Sequence, residues 1–418
     1  MNDQMNHIFF NTIESSSLSV IDLISILISV SLVRLLFRVL RKLPNIFRKV
    51  FLDDICQNFV DPNADQFTIH PNPNGWAPIA ETEQLGRGKV LKVRALGREF
   101  VLVRDLKGEI HAMDPYCPHN GAHLGGGEVL NIRGEDCLRC PFHEWSFRVK
   151  DGVCIDVPYA KDGKPPKGST VKTWPCIEHA GFICVWFHNK GEDPSWFPEL
   201  TKSEDFSQLN FYGRARAKLN CDVYMIVENT ADFSHFIYVH DKPFPLTGRF
   251  AKMLGFEGDL FEQKRQHLSW KAMKNVDSHK ARLEMISSLV FGRNKMVNSD
   301  FSATQLGPYL SDFDLNVKSF GISLKLRISA AVISLHSNKQ EIVFRVYSPK
   351  GIIGYMAARS TLMALSSNIK RDCEIWQNMK RVDKPMFVKE EKAMVELRRW
   401  FTQFYDGASN CSIKSADG

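Results

Sequence analysis

Two short loops constrain this chain more than any other feature. Cys117-Pro118-His119 and Cys140-Pro141-Phe142-His143 each offer one thiolate and one imidazole, in the order C-H…C-H. Loops of this kind must meet at one point, so they demand a small rigid scaffold that presents both. The ligand set suits a [2Fe–2S] cluster in which one iron takes the two Cys and the other the two His. That arrangement raises the reduction potential above that of an all-Cys cluster. Zinc is the competing reading, because tetrahedral N/S coordination suits it. Zinc fingers, however, pair Cys with Cys and His with His, and here each loop carries both. Cys137 is a rival ligand. Cys140 is preferred because Cys140-Pro141-Phe142-His143 forms the tight loop.

A length of 418 residues allows two domains. The net charge of +7 is mild, and the basic residues gather near the N-terminus rather than in a stripe. With no interleaved basic-aromatic motif, nucleic acid is not an expected partner. Ten cysteines in this length do not make a disulfide scaffold, and a cluster needs free thiolates. A reducing, cytosol-facing compartment is therefore expected.

Residues 1–50 read as a separate N-terminal segment. Residues 18–37 are strongly apolar, interrupted by Asp22 and Arg34. A bilayer span wants roughly 20 apolar residues, and these two charges lie near the ends. Arg34, Arg38, Arg41, Lys42, Arg48 and Lys49 follow, which by the positive-inside rule keeps the bulk of the chain in the cytosol. A single-pass membrane anchor helix is expected; an interfacial amphipathic helix or a packed core helix is the alternative.

After a turn-rich stretch at 71–75, short alternating runs at 89–93, 99–103 and 110–113 predict strands, and 181–187 reads as a buried strand. A small antiparallel β domain is expected over 75–190. The remainder, 191–418, mixes strand candidates at 315–328, 330–335 and 341–347 with helical spacing at 362–382 and 389–405. The fold class is α+β.

A second polar constellation lies at 228–240. Asp232 and His235 are spaced i, i+3 and share a helical face. His235 and His240 are spaced i, i+5, about 140° apart on a regular helix, so they converge only if the helix ends between them. Ile237-Tyr238-Val239 makes an ending there plausible. Two His and a carboxylate form the facial triad of non-haem Fe(II) oxygenases, with open positions for O₂ and substrate. Ordinary, satisfied histidines are the competing reading.

With CxH…CxxH followed by DxxHxxxxH, the chain resembles the Rieske-type non-haem iron oxygenases over roughly residues 75–405. The resemblance implies a Rieske domain joined to a helix-grip (START-like) catalytic domain holding a mononuclear Fe(II). It implies that the carboxylate ligand comes from a late helix. Arg371-Asp372-Cys373-Glu374-Ile375-Trp376 looks like the Asp-x-x-Ile-Trp stretch of steroid-acting members. Asp372 is then the third ligand beside His235 and His240, with Glu374 as the alternative. Asp232 takes the family's relay role, linking a cluster histidine of one subunit to an iron histidine of the next in a homotrimer. Asn229 is a weaker candidate for a supporting role.

No G-x-G-x-x-G follows a strand, and Gly125-Gly126-Gly127 lies inside the cluster loop. NAD(P)H is therefore expected to act only through a separate reductase. With the apolar N-terminal run, the steroid-like helix makes the chain similar to the cholesterol 7-desaturase (Neverland) family. That likeness implies a sterol substrate, O₂ chemistry and an endoplasmic-reticulum membrane. The chain departs from the family pattern at Glu144, where Gly is usual before Trp145, and in the long connection between His119 and Cys140.

Overall fold

The computed structural model describes residues 55–59, 72–161, 164–198, 208–240, 261–291, 294–319, 321–379, 382 and 384–405. All lie in one compact unit, Asp54–Gly418. The expected anchor helix at 18–37 lies outside them. Among the described residues no helix is long and apolar enough to cross a membrane.

Most of the described structure is antiparallel sheet. In the first half, β2 (Gly75–Glu81), β3 (Lys89–Ala95), β4 (Arg98–Arg104), β5 (Ile110–Met113), β6 (Glu128–Ile132), β7 (Glu135–Arg139), β8 (Ser146–Arg148), β9 (Cys154–Asp156), β10 (Thr173–Trp174), β11 (Cys176–His179) and β12 (Phe182–Phe187) build three small sheets. Their orders are β10-β5-β4-β3, β11-β12-β2 and β6-β7-β8-β9. Strand β12 is buried along its whole length, as its unbroken apolar run predicts.

The long connection between the cluster loops is accounted for here. It holds a 3₁₀ turn at Leu124–Gly126 and then the β6–β7 hairpin. Arg133 (φ 53°) and Gly134 (φ 88°) form its two-residue turn, with both φ positive as a type I′ turn requires.

The second half is one eight-stranded sheet. Its strands are β1 (Ile55–Phe59), β13 (Leu209–Leu219), β14 (Phe261–Ala272), β15 (Lys280–Phe291), β16 (Asn294–Leu306), β17 (Leu310–Ser319), β18 (Ile322–His336) and β19 (Lys339–Pro349). The order is β1-β13-β19-β18-β17-β16-β15-β14, and only β1 pairs in parallel. The expected single run at 315–328 is two strands: the β17–β18 hairpin turns at Gly321, whose φ is 78°.

Among the described residues four α-helices accompany the sheet: α1 (Val223–Glu228), α2 (His235–Tyr238), α3 (Ile352–Trp376) and α4 (Lys392–Phe401). Helix α3 starts ten residues before the sequence-based expectation and ends at Trp376. Gly354 and the β-branched Ile352 and Ile353 masked its first turn. It lies against β1, β13 and β19. Ala358, Leu362, Ser366, Ile369, Cys373 and Trp376 form its buried stripe, at spacings of three or four. Each large apolar side chain in such a stripe contributes about 1.5–3 kcal/mol.

A buried ionic clasp ties the small sheets to the large one. Arg345 of β19 is 1% exposed as a side chain, and its Nη1 donates to Glu81 at 2.6 Å and to Glu83 at 2.9 Å. Glu81 also receives Arg214 at 2.7 Å and a close bond from Arg216, both on β13. Arg345 Nε donates to the Tyr347 hydroxyl at 2.9 Å, which donates to the Ala180 carbonyl at 3.1 Å. Gly181 has a φ of 89°, and a Cβ there would sit 2.4 Å from Arg345 Nε. Only glycine lets the guanidinium in.

Candidate metal centres

The two cysteine loops are built alike although their sequences differ. Cys117 N–H donates to the Ala122 carbonyl, and Cys140 N–H to the Trp145 carbonyl, each five residues on. Gly121 N–H returns to the Cys117 carbonyl at 2.9 Å, and Glu144 N–H to the Cys140 carbonyl at 3.2 Å. Both turns require positive φ at this last donor: 71° at Gly121 and 58° at Glu144. The departure at Glu144 is therefore a strained one. A non-glycine residue in this region costs roughly 1–2 kcal/mol, partly offset by the freedom glycine adds to the unfolded chain. Its nearest cation, Arg139, is 3.9 Å away on the surface. Glu144→Gly is expected to stabilise the cluster-bearing part by about 0.5–1 kcal/mol. A fall in the thermal midpoint of cluster bleaching would show that the Glu144 side chain contributes more than the strain costs.

Cys117 and Cys140 are 3% and 2% exposed and sit within an apolar core with Leu124, Leu138, Trp145 and Phe147. Burial, with Cys140 beside it, pushes the Cys117 thiol up to about 11. Binding a metal there must therefore expel a proton. His119 and His143 lie on the outer side, with ring centroids 4.7 Å apart. The His119 ring stacks on Trp145 at 4.5 Å. His143 Nδ1 is buried and has no hydrogen-bond partner among the described residues. Buried thiols, adjacent outward imidazoles and an orphaned ring nitrogen fit a mixed-ligand [2Fe–2S] cluster. Cys137 is not part of this arrangement. It lies inside β7, wholly buried, with its thiol 3.5 Å from the Glu135 carbonyl.

The second constellation follows from a broken helix. Helix α2 runs only from His235 to Tyr238, so His240 lies beyond its end. Two guanidiniums take the carbonyls left over. Arg265 on β14 donates to the Phe236 carbonyl at 2.5 Å and the His240 carbonyl at 2.8 Å, and Arg371 on α3 donates to the Val239 carbonyl at 2.8 Å. Free helix carbonyls need such partners, and cations suit that end. The two imidazoles consequently converge, with centroids 5.0 Å apart.

Helix α3 brings Asp372 to them. Its cavity-facing stripe is Leu365, Asn368, Ile369, Asp372 and Trp376. The two Asp372 carboxylate oxygens stand 3.1 and 3.2 Å from His240 Nε2. One ligand atom each from His235, His240 and Asp372 lies within 4.8 Å of the others. Glu374, two residues on, projects about 200° around the helix. It is half exposed and reaches Lys370 at 3.8 Å instead. Burial holds His235 below the ordinary imidazole range, against the pull of Asp372. Neutral imidazole is the form that binds metal. The donor set, with His240 only 3% exposed and its Nδ1 unpartnered, fits a facial-triad iron.

Asp232 is outside that triad. Its Oδ1 accepts from the Ser234 and His235 amides at 3.1 and 3.2 Å, and its carbonyl takes His235 Nδ1 in a close bond. That bond fixes the ring and leaves Nε2 for metal. Among the described residues Asp105, Glu109 and His111 also approach one another. There Asp105 caps a turn, receiving three backbone amides and His111.

Sequence reasoning missed Arg265, and it read Arg371 only as a neighbour of Asp372. Nothing in a strand-forming stretch marks one arginine as the cap of a distant helix. A cavity lies beside the triad. It encloses about 960 Å³ of atom-free space, counting its open mouth, and is walled by residues such as Ile226, Leu283, Phe301, Phe313, Val332 and Phe344.

Comparison with known proteins agrees with this geometry. Residues 75–175 match the Rieske [2Fe-2S] domain, and residues 185–405 match the 3-Ketosteroid 9alpha-hydroxylase C-terminal domain. Cholesterol 7-desaturase nvd of Drosophila melanogaster is 32% identical over 351 residues, 82% of this chain and 77% of the fly protein. Cholesterol 7-desaturase of Caenorhabditis elegans is 31% identical over 350 residues, 82% of this chain and 79% of its own. Dicamba monooxygenase bound to dicamba shares the fold with a TM-score of 0.58 at 18% identity, covering 79% of this chain and 97% of that one. Two ligand sets in this order, on this fold, with relatives so alike across four-fifths of the chain, leave one assignment: the chain belongs to the Neverland family of Rieske oxygenases.

Proposed function

We propose that this protein is a sterol C7(8)-desaturase, converting a cholesterol-type substrate to its 7-dehydro product with O₂ and electrons from an NAD(P)H-dependent reductase. One observation carries the reading: a cavity walled almost wholly by apolar side chains opens directly onto His235, His240 and Asp372. A sterol is almost wholly apolar, so burying it there is favourable, and the walls keep water from the reacting carbon.

Cys117, His119, Cys140 and His143 would hold the cluster, and His235, His240 and Asp372 the iron. Loaded, the two centres supply single electrons and O₂ activation. The chain's own residues do the rest. The Asp232 carbonyl orients His235, Arg265 and Arg371 hold the loop between the histidines, and Trp376 and Phe236 border the substrate space. The Asp232 carboxylate is the proposed relay to a neighbouring subunit's cluster histidine in a homotrimer. Its Oδ2 takes no hydrogen bond among the described residues. The membrane anchor at 18–37, the cytosolic orientation and the endoplasmic-reticulum location belong to the same proposal and rest on the apolar run and its basic flank. So do domain limits at 1–50, 75–190 and 191–418.

A second reading is hydroxylation, favoured by the family model matched over 185–405. Mass spectrometry of the product from purified enzyme, a reductase and cholesterol separates the two. Desaturation gives a product lighter by two hydrogens; an added oxygen would overturn the desaturase reading. Unchanged cholesterol in a preparation that turns over another hydrophobe would overturn the substrate class.

A further inference from the structure

Beyond the ligand candidates and Tyr309, whose hydroxyl donates to the Pro73 carbonyl at 2.8 Å, the polar side chains of the cavity fall into two sets. Asn229, Thr230 and Asn368 belong to the segments that carry the metal-ligand candidates. Gln305 and Ser311 stand apart, on β16 and β17 of the sheet, and face each other across the antiparallel pair. Gln305 is 5% exposed and fixed at both ends of its amide. Its Nε2 donates to the Gly307 carbonyl at 2.8 Å, and its Oε1 accepts from the Ser311 hydroxyl at 2.6 Å. The Ser311 proton is thereby committed. What the pair still offers is the Ser311 oxygen as an acceptor and the second N–H of the amide as a donor.

We propose that this pair binds the substrate's lone hydroxyl and sets the enzyme for 3-hydroxysterols over 3-ketosteroids. The proposal rests on the sterol reading above. A hydroxyl completes both groups: it donates to Ser311 Oγ and accepts from Gln305 Nε2. A ketone only accepts. It can take the Nε2 proton, but Ser311 Oγ then finds no donor. If Ser311 turns its own proton to the ketone, Gln305 Oε1 is left unpaired in an apolar wall. An unmet buried polar group is costly enough to favour the alcohol by about 10- to 100-fold.

The test is equilibrium displacement of a fluorescent sterol from the purified full-length holoenzyme. The competitors are 5α-cholestan-3β-ol and 5α-cholestan-3-one, which differ only at the oxygen. The wild type should prefer the alcohol by about 10- to 100-fold. Gln305→Met frees the Ser311 proton to donate to a ketone. Its alcohol-to-ketone ratio should therefore fall toward unity through tighter ketone binding, a gain that mere loss of packing does not produce. Ser311→Thr keeps the hydroxyl and should keep the preference. Equal binding of both compounds by the wild type overturns the pair's role. So does a preference unchanged in Gln305→Met, which would leave the pair as a brace for the β16–β17 turn. Failure of the wild type to bind either sterol overturns the sterol reading itself, and this proposal with it.

Discussion

Replacing Asp372 with Ala is expected to abolish turnover while leaving the cluster's visible absorption intact. His235 and His240 alone offer two neutral donors from one short segment. Asp372 supplies the carboxylate of the group, and it comes from α3. Losing a supporting partner of a metal ligand typically costs 10- to 100-fold, so losing a charged ligand should exceed about 100-fold. Non-cluster iron should disappear with it. Glu374→Ala is the matched control: its side chain is 53% exposed and lies beside Lys370, so activity should hold. Bleaching of the cluster in Asp372→Ala would mean that the two centres are not independent. Loss of activity in Glu374→Ala with retention in Asp372→Ala would reverse the assignment.

The second large effect is on stability. Glu81→Ala should destabilise the protein by about 3–5 kcal/mol, the usual consequence of stranding buried charge. Glu81 is 3% exposed as a side chain and pairs with Arg345, Arg214 and Arg216 at once. Without it Arg345 keeps Glu83, a carboxylate that is 48% exposed, and Arg216 keeps Glu341 at 3.2 Å. Burial works against the charge of Arg345, yet Glu83 and Tyr347 hold it protonated. It therefore stays charged in the variant. Urea denaturation followed by tryptophan fluorescence reads the change. A shift below about 1 kcal/mol, the range of surface pairs, would show that water had already entered the clasp. Glu81→Leu combined with Arg345→Met should recover part of the loss, since it removes the most deeply buried of the three guanidiniums while Arg214 and Arg216 remain.

What the sequence made legible follows from how local each contact is. The cluster ligands could be read because each loop closes over five residues, and His235 and His240 because a five-residue spacing demands a broken helix. Asp372 could not be read from spacing. It lies 132 residues from His240, beside Lys370 and Arg371, and looks like a solvated helix position. Only family resemblance picked it out; in the structure the helical rotation between positions 372 and 374 separates it from Glu374. Gln305 and Ser311 were invisible for a related reason. Strands β16 and β17 carry polar residues at many positions, and nothing in sequence marks that these two meet in an apolar wall. The start of α3 was hidden by residues that disfavour helices locally, and Gly321 hid the β17–β18 hairpin inside one apolar run.

The layout of the two centres bears on how the protein is made. Every cluster ligand, and the three small sheets from β2 to β12, come from one uninterrupted stretch. The triad and the clasp wait for β19 and α3. At about 5–20 residues per second, a ribosome finishes the cluster loops tens of seconds before it delivers Asp372. The cluster-ligand loops are therefore complete in the growing chain well before the triad's carboxylate is made.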